Sequence, residues 1–112
     1  MNQGSVKLFR DAQGDPRAEW KDKPVRGEYF TRFLEGDLAG DAVQCELYIA
    51  EARNVATGKS KGFRATGNAF TVKLTPKYAT LYSNADDQSK PLSLPLADFT
   101  TTVKRWQKLI AT

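Results

Sequence analysis

The chain contains no histidine and a single cysteine, Cys45, and these two facts remove most side-chain chemistry at the outset. Ser-His-Asp and Cys-His catalysis, His-ligated zinc and a near-neutral proton shuttle all require an imidazole. Cys45 cannot form an intramolecular disulfide. With no base nearby in sequence, it reads as a small buried apolar residue rather than a reactive thiol. The adjacent carboxylates Asp86 and Asp87 are of a type that can share a proton or hold magnesium. They lie in SNADDQSKP, however, which has the composition of a solvated loop. The GKSKG stretch (58–62) contains the Gly-Lys-Ser of a phosphate loop, but Arg53 stands where that motif needs its first glycine and no helix follows. Gly67-Asn68, in FRATGNAFTV, is followed by a strand pattern and lacks the Lys-Ser signature. The expectation is a protein without catalysis, cofactor or metal.

Two clusters suit recognition instead. Glu35, Asp37, Asp41, Glu46 and Glu51 gather on and between two central helical segments, with Tyr48 among them. Such a patch is either solvated helix surface or a docking site for a basic partner, with Tyr48 as its anchor. The second cluster is Lys73, Tyr78 and Tyr82 on the non-core sheet face with Lys59, Lys61 and Arg64 close by, aromatics beside cations as in modules that hold single-stranded nucleic acid. Tyrosine also favours strands for structural reasons, and no RNP-like motif is present. Charge divides the same way. Residues 1–56 carry 8 basic and 10 acidic side chains, whereas 57–112 carry 9 and 3.

The elements that must position these residues follow from periodicity. SVKLFR (5–10) and RAEW (17–20) read as a hairpin around DAQGDP, and Pro24 and Gly27 end it. Tyr29, Phe30, Phe33 and Leu34 repeat as one helical face, with Gly36 and Gly40 keeping that helix short. The next segment fits two patterns. Val43, Cys45, Leu47 and Ile49 alternate as a strand does, over seven residues. Cys45, Tyr48, Ile49, Ala52, Val55 and Ala56 fit a helix over the whole segment, with Asp41 as N-cap and Gly58 as terminator, and helix is the expectation. Residues 63–83 read as a meander. Gly67-Asn68 is either a type II′ hairpin turn, pairing Ala65 with Phe70, or a bulge in one long strand, the hairpin being favoured. Pro76 marks the next turn, pairing Leu74 with Ala79 and Val72 with Leu81. Phe99, Val103, Trp106 and Ile110 form the apolar stripe of a C-terminal helix in LPLADFTTTVKRWQKLIAT. The expected fold is α+β: an antiparallel sheet, made of an N-terminal hairpin plus the 63–83 meander, packed against two central helices and a C-terminal helix.

At 112 residues, with 40% hydrophobic and 27% charged side chains, the chain is expected to form one domain with a single core. No apolar run reaches the roughly 20 residues of a membrane span, and MNQGSVKLFRD lacks a signal-peptide pattern. A cytosolic location is expected. The order FRDAQGD, LEGDLAGDAVQCELYIAEARNVATG, FRATGNAFTVKL and LSLPLADFTTTVKRW resembles the small YacL-like proteins and the immunity proteins of contact-dependent growth-inhibition systems (the CdiI group), over roughly residues 6–111. Where that family has a tryptophan before Thr-Gly-Asn, this chain has Phe63, while Asn68 and Phe70 fit the pattern. The resemblance implies a non-catalytic antitoxin that captures the C-terminal toxin domain of a CdiA-type effector. It carries over no site residues.

Overall fold

Alternation and turn chemistry account for the strands of the computed structural model, which describes residues 6–22, 24–85 and 90–111. Asp86-Asp87, Ser5 of the first strand pattern and the terminal Thr112 lie outside the described residues. Strands β1 (Val6–Arg10) and β2 (Pro16–Trp20) pair antiparallel as a separate two-stranded sheet. The turn between them is organised by Asp11, whose Oδ1 accepts the N–H groups of Asp15 at 2.9 Å and Gln13 at 3.0 Å. The Asp15 bond leads in holding the Asp11 carboxyl below its ordinary pKa.

Helix α1 (Glu28–Arg32) runs directly into a π-helical turn, Phe33–Leu38, which closes with the Ala39 N–H on the Leu34 carbonyl at 2.8 Å. The sequence reading stops this helix short because of its glycines. The chain instead stays helical through Gly36, and Phe33, Leu34 and Leu38 are all buried. The exit is a tight turn in which the Asp41 N–H bonds the Leu38 carbonyl at 2.8 Å. Ala39 occupies its first central position at φ 44°, ψ −123°, a conformation suited to glycine, and Gly40 comes one place later.

Helix α2 (Ala42–Ala56) starts where Asp41 accepts the Gln44 N–H at 3.0 Å and ends at Thr57 and Gly58, the latter at φ 83°. The helical pattern is the correct one of the two. Its inner face buries Cys45, Tyr48, Ile49, Ala52 and Val55.

The second sheet is an antiparallel meander, β3 (Phe63–Thr66), β4 (Phe70–Leu74), β5 (Tyr78–Ser83) and β6 (Leu92–Pro95), in that spatial order. Leu74 pairs with Ala79 and Val72 with Leu81, as Pro76 predicts. Residues 63–74 form a hairpin rather than one bulged strand, but the turn is displaced. Ala65 pairs with Val72 and Phe63 with Leu74, which puts the apex at Asn68-Ala69 and leaves Gly67 outside the left-handed region. Each partner moves by two residues, so the same side chains still face the core. β6 is absent from the sequence reading. Leu94 and Pro95 belong to it, and the last helix, α3, spans Leu96–Ile110.

All three helices and the β1–β2 hairpin close on one core, giving the α+β arrangement expected. At its centre Phe99 lies 5.8 Å from Phe30, 6.0 Å from Phe33 and 6.0 Å from Tyr48, centroid to centroid. Phe63 packs edge-on against Tyr48. Trp106 is fully buried and donates its indole N–H to the Ala39 carbonyl at 2.8 Å, fastening α3 to the turn between α1 and α2. Arg105 and Arg10 tie α3 to β1 through the carbonyls of Val6 and Leu109.

Two stability changes of opposite sign follow from this corner. Trp106→Ala should cost about 3–5 kcal/mol in urea unfolding. Ala39→Gly should stabilise by about 1 kcal/mol, because the backbone there already holds a glycine-like conformation.

Candidate functional site

The acidic residues singled out by sequence do not form one open patch, because three of them bond to backbone N–H groups within the fold. Glu35, on the π-helical turn, accepts from Arg17 Nε at 3.0 Å and from the Ala18 N–H at 2.8 Å, gripping β2. Asp37, two residues on, accepts from the N–H groups of Ala69 and Phe70 at 3.0 and 3.1 Å, gripping the β3–β4 turn. Asp41 caps α2.

Gly67 takes its meaning from Asp37. A Cβ there would stand 2.7 Å from Asp37 Oδ2, so the missing side chain makes room for the carboxylate. Asn84 completes the turn, donating its backbone N–H to Ala69 O and its side-chain amide to Gly67 O.

Tyr48 is a correction to its expected role. It is 2% exposed, packed against Phe33, Phe63 and Phe99, and presents no surface to a partner. Burial, with the nearby Asp37 charge, raises its pKa. Cys45 is likewise fully buried. Burial pushes its thiol up to about 11, with Asp41 and Glu46 adding to the effect.

Glu46 and Glu51 remain on α2, and what lies between them was missed. At about 100° per residue, Val43, Leu47 and Ala50 occupy the side opposite the buried stripe. Val43 is 80% exposed and Leu47 40%. Together with Ala42, Glu46 and Gln107 they line a shallow surface depression. Gln107 of α3 forms its wall by donating to Glu46 Oε1 at 3.0 Å and reaching Ala42 O at 3.4 Å. The sequence signal was present in the strand-like alternation of Val43, Cys45, Leu47 and Ile49. Folded as a helix, that alternation sends Cys45 and Ile49 inward and Val43 and Leu47 outward.

The basic cluster divides in two. Lys59 and Lys61 are exposed on the loop before β3. Arg64 and Lys73 sit directly opposite each other on β3 and β4, exposed on the face of the sheet away from the core. Tyr78 and Tyr82, 53% and 38% exposed, share that face along β5. Four residues of strand set them about 13 Å apart.

Among the described residues no group of three or more His, Cys, Asp or Glu side chains is placed to hold a metal ion. No described helix is long and apolar enough to cross a membrane. Comparison with protein families, curated proteins and solved structures finds no match to the chain.

Asp37→Ala should therefore act on the fold, leaving two turn N–H groups without their acceptor and lowering stability by about 2 kcal/mol in chemical denaturation. For Cys45 the expected result is no reaction with a thiol reagent at pH 8 in the native protein and full reaction in denaturant.

Proposed function

We propose that this protein is an immunity protein that neutralises a cognate toxin domain by stoichiometric binding, without catalysis of its own. The observation that carries this reading is the outer face of α2, where Val43 and Leu47 stand in solvent with Glu46 and Glu51 on either flank. An apolar centre with a charged rim is the anatomy of a protein interface. The rim charge fits a basic toxin domain, such as a nuclease of a CdiA-type effector. Val43 and Leu47 take the anchoring role first given to Tyr48, while Glu46 and Glu51 steer the approach. Inhibition follows from covering the toxin's active site or an adjacent surface. The resemblance of the segment order to CdiI and YacL-like proteins points the same way.

A second reading has one observation of its own. Like charges placed directly opposite on paired strands repel, and Arg64 and Lys73 are so placed beside Tyr78 and Tyr82. A nucleic-acid strand would relieve that repulsion and stack on the tyrosines. Salt-sensitive retention on single-stranded DNA, lost in Arg64→Ala/Lys73→Ala, would favour this alternative.

The test of the main reading is co-expression with the toxin domain encoded beside this chain, scored by survival and co-purification. The wild type should protect. Val43→Glu/Leu47→Glu should remain folded by circular dichroism yet weaken the complex by about 2–4 kcal/mol, the range of interface hot spots. Glu46→Lys/Glu51→Lys should mainly slow association. Absence of both complex and protection for the wild type overturns the proposal.

A further inference from the structure

Helices α2 and α3 lie antiparallel. Gln107, near the end of α3, meets Ala42 and Glu46 at the start of α2, and Ala97 and Thr100 share a groove with Arg53 and Ala56 at the other end. That groove, about 520 Å³, is completed by the β4–β5 turn at Pro76 and Lys77 and by Pro95 of β6. Its floor is apolar, made by Ile49, Ala52 and Leu96, and its rim carries Arg53, Lys77 and Lys104. None of the described residues lining it is acidic.

The start of α3 adds to this positive field. Its N-cap is Pro95, whose side chain cannot accept from the first turn, and the Leu96 N–H is taken up by Lys77 O at 2.9 Å. The positive end of this 15-residue helix borders the groove through Leu96 and Ala97, with Asp98 also in its first turn. Asp98 is set about 100° round α3 from the groove-lining Ala97.

We propose that this groove is a docking site for an acidic amphipathic helix of a partner protein. Alanines 52, 56 and 97 leave a trough between two helices, and a trough of this kind accepts the side-chain ridge of a third helix. Apolar residues of the incoming helix cover Ile49 and Leu96, and its carboxylates meet Arg53, Lys77 and Lys104. An open trough of this form suits a helix better than a small ligand, which needs a site that encloses most of its surface. The site lies at the opposite end of α2 from Val43 and is independent of the toxin-binding reading.

The test needs no toxin. A labelled 18-residue helical peptide, with leucines at i, i+3, i+4 and i+7 spacing and glutamates elsewhere, is titrated against the full chain by fluorescence anisotropy. A peptide with lysine in place of glutamate serves as control. The glutamate peptide should bind saturably and the lysine peptide should not. Arg53→Glu/Lys77→Glu/Lys104→Glu should weaken binding about tenfold or more. Thr101→Trp, which fills the trough and keeps the charges, should weaken it as well, whereas Val43→Glu should not. No saturable binding of the glutamate peptide, equal binding of both peptides, or indifference to both groove variants overturns the proposal.

Discussion

Two carboxylates on one π-helical turn tie together two sheets that pack on one core without pairing with each other. Glu35 reaches β2 of the first sheet and Asp37 reaches the β3–β4 turn of the second, and each accepts a strand or turn backbone N–H. Their separation by one residue turns them toward different partners, while Phe33, Leu34 and Leu38 of the same turn fill the core. A carboxylate accepting backbone N–H groups stabilises most when water is partly excluded, and its loss leaves donors unsatisfied. Both sheets are thus anchored to one segment of six residues. The need extends to Gly67, whose missing Cβ lets Asp37 approach.

This arrangement redistributes the protein's surface chemistry. Three acidic groups that look free in sequence, Glu35, Asp37 and Asp41, are committed to the fold, and the exposed apolar and cationic side chains lie elsewhere. The α2–α3 layer then shows two distinct ends. One presents Val43 and Leu47 with Glu46 alongside, and the other an apolar trough edged by Arg53, Lys77 and Lys104. A single helix pair carries opposite charge preferences along its length, and a partner that meets it in the wrong direction pairs like charges.

Much of the architecture was legible because its signals are local. Pro76 fixed the β4–β5 register, Asp41 the start of α2, and the Phe99-Val103-Trp106 stripe the inner face of α3. What escaped depends on contacts far apart in sequence. The Gly67-Asn68 pair suggests a type II′ turn, but the Asp37 carboxylate, thirty residues earlier, captures the Ala69 and Phe70 N–H groups and moves the apex by one residue. β6 is short and bounded by Pro91 and Pro95, so its Leu92-Leu94 alternation reads as the approach to a helix. Tyr48 is a different case: its helical phase with Cys45 and Ala52 is a local signal of burial, and the nearby Glu46 and Glu51 draw it into the surface patch of the sequence reading instead.

Val43 is one position where a local rule is broken without burial in return. A β-branched residue has poor helix propensity, and one that is 80% exposed gains no burial in return. Alanine, glutamate or lysine would serve an isolated α2 better on both counts. Leu47, one turn on, repeats the cost in solvation, although leucine is a good helix former. The contrast with α3 is informative, because that helix separates a buried apolar face from a polar one while α2 is apolar on both sides. Where each level of a sequence otherwise agrees with its fold, a departure without structural compensation points to a function the isolated chain does not display. Arg64 opposite Lys73 is a second departure of this kind, and it concerns charge rather than apolar surface. The two lie on different elements, so they are separable by substitution, and the α2 departure is the one that exposes apolar side chains.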